Sequence, residues 1–498
     1  MEKLYQFMAV AGVIIYWLIV AAVTLRVVFN RKAVSVSLAW LMIIYIIPFV
    51  GVLFYFLFGE LNLGRTRAER AKKMFTPYAE WFTQLHECQA HQPDLLNVQL
   101  SQIHDLCTHR TAIPALCGNT LSLQDTPEKI LRSIIQDIEQ AQNNIRMEFY
   151  IWQSGGLIDA VNSALIQAAK RGVEIQILID SAGSPKFFRS HWYPLMCDVG
   201  IDVRQALEVN AFRMFFRRLD LRLHRKIIAI DDEIAYTGSM NMVDPEFFKQ
   251  DAGVGEWIDV MVRVTGPTVN VLAAIHAWDW EVETGIRNMP TFPLCAFPDS
   301  SIESEHPSNN PIKDQGLHPI QVVPSGPGMP ENLIQQVLVL AINQAKESVR
   351  ITTPYFVPSD NLLQVIKMTA QRGVKVELII PKKNDSMLVN WASKSFFSEL
   401  LQAGVRIYQF DGGLLHTKSV VIDQQYCLIG SVNLDMRSLW LNFELTLAVD
   451  DYEFTKELYW VQENYLKQST LVSKTEWENR NFGHRMLERI FYLFNPLL

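Results

Sequence analysis

Two polar motifs, far apart in the chain, carry side chains suited to phosphate chemistry. Each reads His-x-Lys, four residues, Asp, six residues and then Gly-Ser-x-Asn. The first comprises His224, Lys226, Asp231, Gly238, Ser239 and Asn241, and the second comprises His416, Lys418, Asp423, Gly430, Ser431 and Asn433. Residues two apart on a strand point to the same face, so each His and Lys can converge on one phosphate. One such short pattern is weak evidence, but two extended copies indicate a chemical role.

Phosphodiester exchange requires a nucleophile, an acid for the leaving alkoxide, and cations around the charged transition state. Two histidines can supply the nucleophile and the acid, while Lys226 and Lys418 hold the non-bridging oxygens. The side chains expected to bind or support the phosphate are Ser239, Asn241, Ser431 and Asn433. We count Asp231 and Asp423 with the catalytic set, although their position in turns after strands equally fits a role in the fold.

The elements that must position these residues form an internal repeat. Residues 141–150 correspond to 345–354, 171–179 to 372–380, and 200–203 to 404–407. In each copy, helical patterns alternate with short apolar runs rich in Ile and Val, which is typical of βα units in a largely parallel sheet covered by helices. The predicted fold class is therefore α/β, with two similar halves that form a pseudo-two-fold sandwich.

The composition of the chain suggests five regions. We expect a membrane anchor at 1–60, a membrane-proximal connecting region at 61–125, the first half at 126–287, a linker at 288–318 and the second half at 319–498. The linker is assigned because it combines prolines, serines and charges between the two copies of the repeat.

Two apolar runs near the N-terminus predict a two-helix transmembrane hairpin. Residues 7–25 and 38–58 are each long enough to cross roughly 30 Å of hydrocarbon as a helix. The second run and the lack of a clear cleavage site argue against a signal peptide. Basic residues outside the hairpin, which outnumber those in its loop, are Lys3, Arg65, Arg67, Arg70, Lys72 and Lys73. The positive-inside rule therefore places both termini and the catalytic part in the cytoplasm.

Charge and cysteine content exclude some classes of protein. The net charge of −7 argues against a generally basic surface for nucleic acid. The six cysteines contain no CxxC pair, so neither a disulfide framework nor a zinc ribbon is indicated. His86, Cys88 and His91 could offer metal ligands, but no second set with suitable spacing follows them, so we predict no metal.

The twin motif resembles that of the phospholipase D superfamily, and the resemblance covers about Thr126 to the C-terminus. The two apolar runs, with residues 148–150, 353–360 and 433–438, are in turn similar to the bacterial cardiolipin synthases. This resemblance implies a multi-pass enzyme of the bacterial inner membrane. It would transfer a phosphatidyl group between two phosphatidylglycerol molecules and release glycerol, through a phosphatidyl-histidine and without a cofactor.

The same resemblance implies roles for individual side chains. His224 would be the nucleophile and His416 the acid, although the symmetry of the repeat leaves the reverse assignment open. Glu444 matches the family's carboxylate that orients a histidine, and Asp259, after a longer insertion, is its expected counterpart.

Other functions fit part of the pattern. A lipid hydrolase that releases phosphatidic acid shares every catalytic residue, whereas two membrane spans and an acidic chain count against a nuclease of the same superfamily. A non-catalytic phospholipid-binding protein would be expected to have degenerate motifs, and both motifs here are intact. Residues 212–218 and 489–498 combine aromatic and basic side chains and suit an anionic lipid surface, although the first segment equally fits an amphipathic helix on the core.

Overall fold

The computed structural model describes residues 2–29, 34–59, 64–88, 98–208, 218, 220–290 and 319–492. Several predictions fall outside these residues. They concern most of the linker (291–318), the aromatic-basic segment at 212–217, His91, the side chains of His86 and Cys88, and the chain end at 493–498.

The first apolar run forms one long helix, and the second does not. Helix α1 (Glu2–Phe29) includes a stretch, Lys3–Phe29, that is the one helix among the described residues long and apolar enough to cross a membrane. The second run is divided into α2 (Val34–Ile46), α3 (Pro48–Phe54) and a π-helical turn (Tyr55–Gly59).

Pro48 explains this division. It has no N–H to donate, and it disfavours helical backbone at the preceding residue. Ile47 accordingly has φ −128° and ψ 73°. After Pro48 the chain folds back on α2, and the rings of Trp40 and Tyr55 consequently lie 5.5 Å apart. The prediction of two similar helices therefore holds for the first run only.

The connecting region is built into the catalytic part. Helix α4 (Arg65–Cys88) packs on α10 (Thr268–Thr284), and α5 (Val98–Thr111) packs on α11 (Leu333–Gln344). Arg67 pairs with Glu283 at 2.6 Å, and Arg70 donates to the carbonyls of Val282 and Glu283 at the end of α10. Strand β1 (Ala115–Leu116) joins the sheet of the second half, and β2 (Thr120–Gln124) joins that of the first.

The first half is a seven-stranded mixed sheet with the order β2-β9-β7-β6-β3-β4-β5. Its remaining elements are α6 (Pro127–Gln140), β3 (Asn144–Phe149), α7 (Leu157–Lys170), β4 (Glu174–Asp180), α8 (Pro185–Phe188), α9 (Trp192–Asp198), β5 (Asp202–Ala206), β6 (Ile227–Ile230), β7 (Ile234–Gly238), β8 (Trp257–Ile258), β9 (Met261–Thr265) and α10. A separate short pairing joins β8 to the second half.

The second half repeats this plan in a nine-stranded sheet with the order β1-β10-β19-β17-β16-β11-β13-β14-β20. Its elements are β10 (Ile320–Ser325), α11, β11 (Ser348–Thr352), β12 (Phe356–Val357), α12 (Asp360–Gln371), β13 (Lys375–Pro381), α13 (Met387–Ser395), α14 (Phe397–Ala403), β14 (Arg406–Phe410), β15 (Leu414–Leu415), β16 (Ser419–Ile422), β17 (Tyr426–Gly430), β18 (Leu434–Asp435), α15 (Met436–Trp440), β19 (Glu444–Val449), α16 (Tyr452–Lys467), β20 (Ser469–Leu471), α17 (Lys474–Glu478) and α18 (Phe482–Tyr492).

The sheets are mixed, so the expectation of a largely parallel sheet is wrong. In the first half only β3, β4 and β5 run parallel, and the pairs that involve β6, β7 and β9 are antiparallel. The reversal occurs at Asp231 and Asp232, and at Asp423 and Gln424 in the second half, where two consecutive positive φ values connect adjacent strands. Glu233 N–H donates to Ile230 O at 3.0 Å, so Asp231 and Asp232 are the central residues of a left-handed β-turn, a conformation that Asp tolerates.

One apolar core joins the two halves. It contains Ile227, Ala235, Val262 and Val264 from the first sheet and Val322, Val421, Ile429 and Leu447 from the second, with side chains of α4, α10 and α16. The duplicated α/β halves therefore pack together with their equivalent strands β6 and β16, which follow the two His-x-Lys motifs, at the shared interface.

Candidate active site

Each His-x-Lys segment is held by backbone of the opposite half. His224 N–H donates to Phe443 O at 2.9 Å, and Phe443 N–H donates to Arg222 O at 2.9 Å. In the second motif, His416 N–H donates to Ile258 O at 2.8 Å. Hydrogen bonds of this kind keep both segments extended, which places His and Lys of each motif on one face.

The orienting carboxylates are exchanged between the halves. His224 Nδ1 lies 2.8 Å from Glu444 Oε2, and His416 Nδ1 lies 2.7 Å from Asp259 Oδ1. Because a carboxylate accepts only, Nδ1 carries the hydrogen in both rings and Nε2 is left to react. Both carboxylates are those named from the sequence, and each contacts the histidine of the other half, an exchange that the sequence did not predict.

The serines of the motifs support those carboxylates. Ser431 Oγ donates to Glu444 Oε2 and Ser239 Oγ donates to Asp259 Oδ1, each at 2.6 Å. The structure therefore places both hydroxyls against the carboxylates that hold the histidines, and it favours this supporting role over direct contact with phosphate. In both carboxyl groups, burial raises the pKa, but the adjacent imidazole and lysine outweigh it and lower the pKa overall.

Both lysines are buried beside their histidines. Lys226 Nζ donates to His224 O, and Lys418 Nζ donates to His416 O, each at 2.5 Å. Burial lowers the pKa of Lys226 to about 8 and that of Lys418 to about 7, against the opposing effect of Asp259 and Glu444. A phosphate anion at this site would stabilise the ammonium forms, because an opposite charge favours the charged state.

The imidazoles are neutral at neutral pH. Burial lowers the pKa of both His224 and His416 to about 4, although Glu444 and Asp259 act in the opposite direction. A neutral imidazole is the nucleophilic form. An incoming phosphate anion raises the pKa of the ring beside it, which allows one ring to act as an acid.

The two asparagines have hydrogen-bonding capacity to spare. Asn241 Oδ1 accepts from Ile151 N–H at 3.2 Å, while its Nδ2 is buried and has no partner among the described residues. Asn433 is also buried, and its Oδ1 has no partner in the described part of the chain. Unsatisfied buried polar atoms are rare in proteins, so these amides fit a site that is completed by a polar ligand.

Asp231 and Asp423 do not lie with the reacting groups. Each is separated from its histidine by a whole strand and caps the turn that precedes the neighbouring strand. Asp231 accepts from the N–H groups of Gln142, Asn143 and Asn144 at 2.7–2.9 Å. Asp423 accepts in the same way from residues 346–348. These contacts fit the role in the fold that turn chemistry allows, and they favour it over a place in the catalytic set.

Three neighbours of the site were not anticipated. Tyr150 lies over His224 with ring centroids 5.2 Å apart, and Trp257 lies over His416 at 4.3 Å. Arg225 is fully buried, pairs with Asp279, and donates to Glu444 O at 3.1 Å. Alternation along the strand indicates that Arg225 faces away from His224, but it does not reveal the buried partner on α10.

A duplicated α/β fold that brings two His-x-Lys motifs to one interface defines the phospholipase D class of phosphodiester-transfer enzymes. The family model described as "Cardiolipin synthase, PLD-like domain" matches residues 134–254 and 338–463. A second model, "Phospholipase D-nuclease N-terminal", matches residues 17–60.

Similar proteins agree with these models. Cardiolipin synthase A of Yersinia pseudotuberculosis serotype O:1b (strain IP 31758) and that of Yersinia pestis bv. Antiqua (strain Angola) are each 51% identical over 498 residues, which is 100% of both chains. Phosphatidylserine synthase of Haemophilus influenzae Rd KW20 shares the fold with a TM-score of 0.58 at 15% identity, over 80% of this chain and 98% of that one. The chain therefore belongs to the cardiolipin synthase family of phospholipase D-type phosphatidyltransferases.

Proposed function

We propose that this enzyme transfers a phosphatidyl group from one phosphatidylglycerol to the headgroup of another, giving cardiolipin and glycerol. The observation that carries this proposal is the pair of crossed hydrogen bonds, His224 to Glu444 and His416 to Asp259. They hold two Nε2 atoms ready to react at one interface, with a lysine beside each. Family membership supplies the class of substrate, and this arrangement supplies the chemistry.

In the first step, His224 Nε2 attacks the phosphorus of the donor lipid. A P–N bond forms, and the P–O bond to the glycerol headgroup breaks. His416, protonated in the presence of the phosphate anion, gives its Nε2 proton to the departing oxygen. Glu444 stabilises the positive charge on His224, while Lys226 and Lys418 neutralise the non-bridging oxygens.

In the second step, the roles of the histidines reverse. Neutral His416 takes the proton of a glycerol hydroxyl on the second phosphatidylglycerol. That oxygen attacks phosphorus, the P–N bond breaks, and His224 is restored. The assignment of His224 as the nucleophile is supported by its greater exposure to an incoming lipid, since its side chain is 9% exposed and that of His416 is 3% exposed.

Incubation with one defined lipid tests this proposal. Purified enzyme in mixed micelles with phosphatidylglycerol should release cardiolipin and glycerol in equal amounts, measured by mass spectrometry of lipids and an assay of glycerol. Release of phosphatidic acid without cardiolipin would instead identify a hydrolase. Phosphatidylethanolamine and free glycerol, added separately, define the range of donors and acceptors.

We also propose that the catalytic part faces the cytoplasm of a bacterial cell, at the inner membrane. The basic residues that precede it support this side, including Arg67 and Arg70, which bind α10 directly. A C-terminal tag should be cleaved by protease in inverted membrane vesicles and protected in right-side-out ones. If an N-terminal tag is cleaved in the same vesicles as the C-terminal tag, the chain crosses the membrane twice. If it is cleaved in the opposite vesicles, the chain crosses once, through α1.

A further inference from the structure

The rim of the active site is cationic on one side of the pseudo-two-fold axis and apolar on the other. In the first motif, alternate residues of the extended segment share one face, and this face carries Arg222, His224 and Lys226. In the second motif the same face carries Leu414, His416 and Lys418. A second arginine, Arg437, follows Asn433 by four residues, and Pro245 occupies the equivalent position after Asn241.

Both arginines lie on the His224 side. Arg437 Nη2 donates to the backbone carbonyl of Asp220, two residues before Arg222, and its Nη1 lies 3.5 Å from Asp220 Oδ2. The guanidinium groups of Arg222 and Arg437 both act to lower the pKa of Tyr150, whose ring covers His224, although burial and Asp180 raise it overall. The Arg437 side chain is 35% exposed, so it is accessible from solvent.

The carboxylates near these arginines also bind other groups. Asp220 accepts two hydrogen bonds from Arg218 at 2.5 and 2.9 Å. Asp180 is fully buried and accepts from the backbone N–H groups of Ala182, Gly183 and Leu223. Asp435, which also lies close enough to interact with Arg437, accepts from Ser438 N–H at 2.7 Å. Of the three carboxylates near the three guanidinium groups, two are therefore already engaged by backbone N–H groups.

The opposite side of the site is a closed apolar wall. Leu414 is fully buried and packs in a cluster with Ile151, Val243, Phe248 and Trp257. Trp257 in turn covers His416. The cation beside this cluster, Lys249, lies over the rings of Phe248 and Trp257 and pairs with Asp385 at 3.3 Å. The apolar Leu414 stands where the first motif has Arg222, so we place the second negative charge on the His224 side.

We propose that Arg222 and Arg437 bind the phosphate of the acceptor phospholipid, outside the His-Lys site that holds the transferred phosphate. This proposal rests on the proposed function, because an acceptor with its own phosphodiester is needed only for a lipid product with two phosphates. Two residues along an extended chain span about 7 Å. That offset between Arg222 and His224 suits two phosphates joined through one three-carbon glycerol, whose free hydroxyl would point at the reacting phosphorus.

A comparison of two acceptors tests the proposal. Arg222→Gln and Arg437→Gln variants are assayed with phosphatidylglycerol for cardiolipin formation, and with labelled glycerol for exchange into phosphatidylglycerol, since free glycerol carries no phosphate. The ratio of cardiolipin formation to glycerol exchange should fall about tenfold to a hundredfold, the effect of losing a charge-assisted contact. Arg204→Gln removes an exposed arginine paired with Asp202, and it should leave the ratio unchanged.

The outcomes separate the possible failures. An equal loss of both reactions, or no loss of either, would overturn the acceptor site, because a structural role moves both rates together. Rescue of the ratio by Arg437→Lys would support a binding role for the positive charge. If the unmodified enzyme makes phosphatidic acid but neither cardiolipin nor labelled phosphatidylglycerol, the proposed function fails first, whatever the variants do.

Discussion

The two halves of the molecule present the same reacting groups but support them differently. His, Lys, carboxylate and Ser occupy equivalent positions on both sides, with closely similar distances. Beneath them, the first half has the ion pair of Arg225 with Asp279, whereas the second half has Thr417, whose hydroxyl contacts Tyr465 at 3.1 Å. The duplicated layer performs the chemistry, while the layer below it has diverged.

Glu148 and its counterpart Thr352 extend this difference. Each faces the residue that follows the motif lysine, Ile227 in the first half and Ser419 in the second. Glu148 is fully buried and lies beside the Asp279 carboxyl group. Burial, followed by the charge of Asp279, raises the pKa of Glu148 well above its usual value. Thr352 instead accepts from Gln462 at 3.2 Å. One half thus has ionisable groups in this layer, and the other has hydroxyl and amide groups.

Replacement of the crossed carboxylates tests the equivalence of the upper layer and should have the largest effect. Glu444→Gln and Asp259→Asn keep the size of each side chain but can present an amide N–H to the imidazole, which favours the wrong tautomer. Each should lower the rate of cardiolipin formation roughly 10²- to 10⁴-fold with little change in thermal stability. A large loss in only one of the two would show that the halves are unequal even in this layer.

The lower layer should respond unequally to substitution. Arg225→Met leaves Asp279 buried without its ion-pair partner, which should lower the free energy of unfolding by about 3 to 5 kcal/mol. Thr417→Val, the matched change in the second half, removes neutral hydrogen bonds and should cost about 1 kcal/mol. Thermal unfolding in detergent measures both. Equal losses would mean that the Arg225–Asp279 pair stabilises the first half no more than the hydrogen bonds of Thr417 stabilise the second.

The turn carboxylates should behave alike and have the smallest effect on catalysis. Asp231→Ala and Asp423→Ala each remove an acceptor of three backbone N–H groups at a left-handed position. We expect a loss of about 1 to 3 kcal/mol in the free energy of unfolding. Activity per folded molecule should be unchanged, and Asp231→Asn should recover part of the stability. Loss of activity in a variant of normal stability would show instead that Asp231 or Asp423 takes part in catalysis.

Local patterns in the sequence predicted the local features of the structure. The structure contains the predicted repeat, and it places Glu444 and Asp259, which the sequence had named, against the two histidines. Pro48 and the adjacent turn residues Asp231 and Asp232 are also local signals, the first for a broken helix and the others for an antiparallel hairpin.

Contacts between the halves could not be predicted in the same way. The exchange of Glu444 and Asp259 depends on how two separately patterned sheets dock, and no spacing within either half encodes it. The pairing of Arg225 with α10 is a long-range contact of the same kind. The local signal for this pairing is the position of a charged residue, Arg225, next to the apolar run at 227–230.

The most direct test of a single paired-histidine site is to locate the covalent intermediate. Enzyme with the substitution His416→Ala should form the phosphatidyl adduct slowly and release it more slowly still, because neither acid nor base remains for the second step. After rapid quenching with labelled phosphatidylglycerol, peptide mass spectrometry should find the phosphatidyl group on His224, and none in His224→Ala enzyme. An adduct on His416 in the His224→Ala enzyme, or turnover without any adduct, would contradict the account.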